Sequence, residues 1–239
     1  MGLHLPRQVW VGTTVLAFAA GMVNAAGYLG FEHQALSHLT GTASLGALAF
    51  GAGRWSAAAQ LAGVIASFVG GGFLAGLVLN GRTLSWRYVG LFAFQSALLL
   101  LAGMALMDEQ RWGGFFAAAA CGLQNAMTTF YSESAIRSTH LTGFFTDLGL
   151  LLGQRSRGAP LPWRRLLLGG LVMAAFVGGG VFTALTFNQW GFRVLSVPAC
   201  WSRASQSDWR SNLRSPALED CRSNSRFAEP PLLRRGLET

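Results

Sequence analysis

Residues 137–153 read RSTHLTGFFTDLGLLLG, and two titratable side chains, His140 and Asp147, stand there among apolar neighbours. On a helix, His140, Phe144 or Gly143, and Asp147 share one face, since positions i, i+3/4 and i+7 line up. An imidazole and a carboxylate on one face can exchange protons near neutral pH. Residues 35–51 read ALSHLTGTASLGALAFG, so His38-Leu39-Thr40-Gly41 anticipates His140-Leu141-Thr142-Gly143. Only the second copy carries an aspartate; Ser44 and Leu45 occupy the corresponding region of the first.

Further polar groups stand in long apolar stretches. Asn24 is followed four residues on by Tyr28, and Asn125, Thr129 and Ser132 form a stripe at i, i+4 and i+7. A buried amide without partners costs about 1 to 3 kcal/mol, so each asparagine either ties helices together or lines a polar cavity. Gln95 and Gln124 read as isolated packing residues. Glu32 and Glu133 fall where their helices end and read as interfacial.

The elements that position these groups follow from composition. Apolar residues make up 51% of the 239 and charged residues 12%, and lysine is absent. Uncharged runs cover Gln8–Phe31, Trp55–Gly81, Tyr88–Met107, Trp112–Ser132 and Leu166–Phe192. A membrane helix needs about 20 apolar residues to cross a hydrocarbon core of about 30 Å. Five such runs leave too little polar surface for a soluble protein. Tryptophans 10, 55, 86, 112, 163 and 190 flank the runs, as in an aromatic belt at the lipid interface.

The order of segments repeats. Gly21-Met22-Val23-Asn24-Ala25 matches Gly122-Leu123-Gln124-Asn125-Ala126, and Phe68-Val69-Gly70-Gly71-Gly72 matches Phe176-Val177-Gly178-Gly179-Gly180, with the two His-Leu-Thr-Gly sites between. The sequence therefore predicts one transmembrane domain over 1–201, with repeat one at 8–107 and repeat two at 112–201. The repeat also counts against reading Met1–Ala25 as a cleaved signal peptide. Gly72 and Gly76 form a GxxxG pair, and Gly178–Gly180 with Ala174 and Ala184 repeat the small face, for close helix packing. A final helix begins at Val194–Trp201, after which residues 202–239 turn Ser/Arg-rich and aperiodic. They read as a disordered, aberrant tail from a changed reading frame.

The block Gly122–Ala126, Ile136-Arg137, and His140-x-Thr142-Gly143-x-x-Thr146-Asp147-Leu148-Gly149 resembles the YoaK-type family of uncharacterised bacterial inner-membrane proteins. The resemblance covers roughly residues 8–200. It implies about six or seven membrane helices and no established activity. Family members resemble one another in staying apolar to near the C-terminus, and this chain departs from them after residue 200.

The fold class expected is all-α, a polytopic membrane protein of about six to seven transmembrane helices in two repeated halves, each with one short helix. Segments 39–51 and 141–154 either span or re-enter. Re-entry makes the repeats inverted and puts eight arginines on one side (7, 82, 87, 137, 155, 157, 164, 165) against three (54, 111, 193). Spanning makes the repeats parallel and gives seven against four. Both place the N-terminus in the cytoplasm. The basic residues sit in loops and a tail, which argues against nucleic acid as a partner; the bilayer, a solute and a second copy of the chain remain.

Cys121, Cys200 and Cys221 have no metal-ligand spacing, and no nucleophile elbow or phosphate loop appears, so neither enzyme chemistry nor a metal or cofactor is expected. The expectation is a small secondary transporter or permease for a polar or anionic solute, with Asn24, His38, Thr40, Asn125, Thr129, His140, Thr142 and Asp147 at its polar centre. Thr139 is the expected N-cap of the second short helix. The alternative is a scaffold or sensor whose polar residues lock helices.

Overall fold

The computed structural model describes residues 7–31, 36–80, 86–131, 139 and 141–200, and among these every regular element is helical. The order is α1 (Arg7–Gly30), α2 (Leu39–Gly51), α3 (Trp55–Val78), α4 (Trp86–Met107), α5 (Gly113–Tyr131), α6 (Leu141–Ser156) and α7 (Trp163–Trp190). A 3₁₀ turn at Gly191–Leu195 follows, and helical backbone continues over 196–200, where the last helix was expected to begin. The expected tail at 202–239, together with Glu32, Ser132, Glu133 and His140, lies outside the described residues.

Trp10–Gly30, Trp55–Val78, Trp86–Met107 and Leu166–Cys200 are long and apolar enough to cross a bilayer. The protein is therefore a polytopic, all-helical integral membrane protein. The run at Trp112–Ser132 forms α5, which is not among those four. Its position explains its composition. It packs on α1, α3 and α4, and Ala117, Ala118, Cys121, Leu123, Gln124, Asn125 and Thr128 are all buried. A helix sheathed by protein can carry amides and hydroxyls that lipid would penalise.

Contacts fix the helix directions. Along α1 and α7, Phe18 and Gly21 meet Gly178, Gly179 and Phe176, and Gly30 meets Phe187, so the two run parallel. Along α3 and α5, Gly63 meets Phe115 and Gly71 meets Ala119 and Leu123, so these also run parallel. Phe31 covers Gly114 at one end of α1, and Gln124 Nε2 donates to Leu16 O at 2.8 Å further down. Thus α1 and α5 are antiparallel. Each parallel pair joins helices from opposite halves of the sequence, and the two pairs point in opposite directions.

The closest approaches explain the repeated words. A Cβ added at Gly21 would strike the Phe176 carbonyl of α7, and one at Gly122 would strike the Phe68 carbonyl of α3. Conversely, a Cβ at Gly179 meets the Phe18 carbonyl of α1, and one at Gly71 meets the Ala119 carbonyl of α5. The Gly-x-x-Asn-Ala block of each half is thus pressed against the Phe-Val-Gly-Gly-Gly block of the other. Lipid supplies no hydrophobic drive between helices, so such contact must come from small residues and backbone proximity. The register differs from the expected Gly72/Gly76 pair. A Cβ added at Gly72 would sit at ordinary contact distance, 3.8 Å from Gly122 O, and one added at Gly76 would meet open space. The buried face runs through Gly71 and Ala75 instead; the helix crossing selects which of three consecutive glycines points inward.

The short helices return to the face they came from. Residues 52–54 join α2 to α3 as a hairpin, so α2 runs antiparallel to α3 and hence parallel to α1. Ser37, just before α2, is tied to Asn24, six residues before the end of α1 and so about 9 Å below it. The chain leaves α1, drops back inside and rises again along α2, the path of a re-entrant helix. Thr139 is tied to Asn125, six residues before the end of α5, so the second short helix starts inside from the opposite face. These directions place Trp10, Trp86 and Trp163 at one end of the bundle and Trp55, Trp112 and Trp190 at the other. Arg54, Arg111 and Arg193 accompany the second set, whereas Arg87, Arg155, Arg157 and Arg164 accompany the first.

Substituting Gly122→Val should lower stability by about 2 kcal/mol, because a backbone carbonyl cannot move aside as a side chain can. Gly21→Val should behave alike, whereas Gly76→Ala should change stability by less than about 0.5 kcal/mol. Thermal unfolding of the three variants in one detergent checks the ranking.

Candidate functional site

Asn24 lies on α1 three residues after the Gly21 contact, and only 3% of it is exposed. Its Nδ2 donates to Ser37 Oγ at 2.5 Å, and its Oδ1 accepts the Ser37 backbone N–H at 2.9 Å. A primary amide can do both at once because donor and acceptor diverge from one carbon. The start of α2 is thereby held at a fixed depth. His38 follows, with φ −94° and ψ 70°, and its side chain caps nothing. Its ring stands edge-on to Phe176, with centroids 6.0 Å apart and planes at 85°. Phe176 therefore serves twice. Its carbonyl receives Gly21 and its ring receives His38, so the tip of α2 touches the crossing of α1 and α7.

The second half repeats the tether. Asn125, on α5 three residues after Gly122, donates from Nδ2 to Thr139 Oγ1 at 2.8 Å. Thr139 is thus engaged by a neighbouring helix, where the sequence suggested an N-cap for α6. Thr128, rather than Thr129, is the buried hydroxyl of this stretch. Its Oγ1 reaches Gln124 O at 3.1 Å and Asn125 O at 3.0 Å, and Thr129 is half-buried.

The remaining expected residues are more open. Thr40 and Thr142 are exposed in the first turns of α2 and α6. Their carbonyls accept Ser44 Oγ and Thr146 Oγ1, each at 3.0 Å. Asp147 is half-buried on a helix with no fully buried residue. This helix touches α7 sparingly, chiefly where Phe144 lies over Gly169, while α2 packs closely on α3. The expected residues thus fall into two groups, Asn24 with His38 and Asn125 with the start of α6. Among the described residues, no three of His, Cys, Asp and Glu converge on a point that could hold a metal.

Two features escaped the sequence reading. Ser37 and Thr139 are the tethered partners, and their signal was a hydroxyl residue directly before each His-Leu-Thr-Gly. Gln95 and Gln124, read as isolated, bond to each other, Nε2 of Gln95 donating to Oε1 of Gln124 at 2.6 Å. Since Gln124 also donates to Leu16 O, this chain of amides links α4, α5 and α1 through the buried centre. Nothing in the spacing of residues 95 and 124 announces that contact.

Comparison with known families gives a match over residues 12–204 to a protein of unknown function, DUF1275. The chain belongs to the DUF1275 family. No curated protein and no solved structure matches it. In this DUF1275 member the matched span takes in both tethered helix tips and the crossings beneath them.

Replacing Asn24 by Ala should cost about 1 to 3 kcal/mol, because Ser37 keeps its buried polar groups and loses their partners. The start of α2 should open with it. Hydrogen–deuterium exchange should rise first at 38–42, ahead of α3.

Proposed function

We propose that this protein is a small secondary transporter or permease for a small polar or anionic solute. The observation that carries the reading is the pair of asparagine-tethered re-entrant tips, which enter from opposite faces beside antiparallel α1 and α5. Transporters built from inverted repeats place their solute where broken helices end inside the membrane and alternate between faces by rocking one part against another. A helix N-terminus offers unpaired N–H groups and the positive end of a dipole, which suits an anionic or polar group. His38 directly precedes α2, and Thr40 and Thr142 stand in the first turns of α2 and α6, with Asn24 and Asn125 behind them; His140, outside the described residues, precedes Leu141 in the sequence. Asp147, on the loosely held α6, is the group assigned to respond to protons, with His140. Thr129 belongs to the same polar lining. The second repeat then supplies the moving element, since α6 has little packing to break.

The same reading makes the chain a YoaK-type member of its family, lodged in the bacterial inner membrane. Arg87, Arg155, Arg157 and Arg164 lie on the side of the N-terminus, and an excess of arginine marks the cytoplasmic side. No catalytic chemistry, cofactor or nucleic acid enters the proposal. One observation favours the alternative of a scaffold or sensor. Both polar groups of the Asn24 amide are engaged by Ser37, as helix-locking glue requires.

Uptake by the purified chain in liposomes under an imposed proton gradient separates the two. The transporter reading expects a small polar or anionic solute to accumulate, and Asp147→Asn to abolish the pH dependence of its uptake. No uptake across a solute panel, together with strong destabilisation by Asp147→Asn, would establish the scaffold instead.

A further inference from the structure

Three helices of this chain end in the same hydrogen-bonded turn. After α2, Gly53 N–H donates to Phe50 O at 3.0 Å and Arg54 N–H to Ala49 O at 2.9 Å. After α6, Gly158 N–H donates to Arg155 O at 2.9 Å and Ala159 N–H to Gln154 O at 3.2 Å. After α4, Glu109 N–H donates to Leu106 O at 3.3 Å and Gln110 N–H to Ala105 O at 2.8 Å. This paired pattern needs a left-handed residue at its centre, a place glycine fills without strain. Gly53 and Gly158 fill it with φ of 70° and 89°. The third turn uses Glu109, at φ 57°, the one positive-φ residue other than glycine among those described. A side chain kept where the backbone favours none points to a use for that side chain.

Glu109 lies at the rim of a cavity of about 580 Å³ where the ends of α1, α4 and α7 meet the start of α5. The volume is that of a small-molecule pocket. Its walls carry opposite charges, Glu109 and Arg111, beside the amide of Gln110 and the rings of Phe31, Trp190 and Phe192. The rings are braced. Phe192 stands edge-on to Phe187 at 5.4 Å, and Trp190 edge-on to Phe182 at 6.3 Å. Arg111 Nη1 donates to Gln60 Oε1 of α3 at 3.4 Å, which steadies the guanidinium at its side of the rim. No hydrogen bond or ion pair joins the Glu109 carboxylate to another described residue.

We infer that this cleft, at the end of the bundle opposite the N-terminus, is a recognition site for a small zwitterion with an apolar body. The ammonium of the ligand faces the Glu109 carboxylate and the ring faces, which attract cations. Its carboxylate faces the Arg111 guanidinium, a planar donor set matched to carboxylates. Its body lies on Trp190 and the phenylalanines. The inference deepens the transporter reading by naming the solute class; binding stands apart from that reading, and only passage of the bound solute across the membrane rests on it.

Calorimetric titration of the detergent-purified full chain tests binding apart from transport. The probes are phenylalanine, phenethylamine and 3-phenylpropanoate, which share a ring and carry both charges, the cation alone or the anion alone. Phenylalanine is expected to bind about tenfold or more tighter than either single-charge probe, since each lost pairing with a charged group is worth at least that factor. Glu109→Gln should abolish its advantage over 3-phenylpropanoate. Glu109→Gly should lose the same advantage while raising the thermal midpoint by about 2 to 4 °C, because it relieves the left-handed residue. Equal binding of the three probes, no binding of phenylalanine, or full phenylalanine affinity in Glu109→Gln overturns the inference. Binding of phenylalanine without its uptake into liposomes would leave the site standing and remove its link to transport.

Discussion

Everything else in this fold hangs on the contact between a glycine and a backbone carbonyl. Gly21 on Phe176 and Gly122 on Phe68 bring helices so close that main chain lies on main chain. At that separation Cα–H groups face carbonyl oxygens, a weak attraction that recurs at helix interfaces. A bilayer offers no hydrophobic gain for burying leucine against leucine, so these few positions hold the bundle at its crossings. The asparagines sit three residues beyond the glycines. Asn24 and Asn125 therefore inherit a fixed distance from the crossing, and the tips of α2 and α6 inherit theirs from the asparagines.

Much of this was legible in the sequence, because membranes penalise charge and reward small residues in simple ways. The uncharged runs correspond to α1, α3, α4, α5 and α7, and the two His-Leu-Thr-Gly words open α2 and α6. What the spacing could not show was which helix each small face meets. Gly21 and Phe176 are far apart in the chain, and a stripe of glycines names no partner. It also could not show that Gly71 rather than Gly72 points inward, since three glycines in a row differ only by rotation. The amide pair Gln95–Gln124 was hidden for the same reason. Each residue alone is a polar blemish in an apolar helix, and only the α4–α5 packing makes them complementary.

The site was legible in part. Asn24 and His38 were singled out from the sequence, and the structure brings them to within one residue of each other through Ser37. Thr40 and Thr142 share the expected helix starts but are exposed. Hydroxyls on a first turn read as inward-facing only if the rotation of the helix is known, and α2 and α6 are too short and too evenly apolar for their own pattern to fix it. The contrast between α2, closely packed on α3, and α6, lightly held on α7, is equally invisible in the residues of the repeat. It arises from the surroundings of two similar segments.

Pairing across the halves has a consequence for how the chain is made. Helix α1 meets its partner α7 only after the five helices between them have been synthesised, and α3 must wait for α5. Until then the glycine faces of the first half have no backbone to rest against, and the amide of Asn24 has only the neighbouring loop. The first half is thus a set of inserted but unassembled helices, and the second half works as its template as much as its copy. The closest helix pairs, α1 with α7 and α3 with α5, each join one half to the other. Through these exchanged contacts the two repeats form a structure that closes only once α7 is in place.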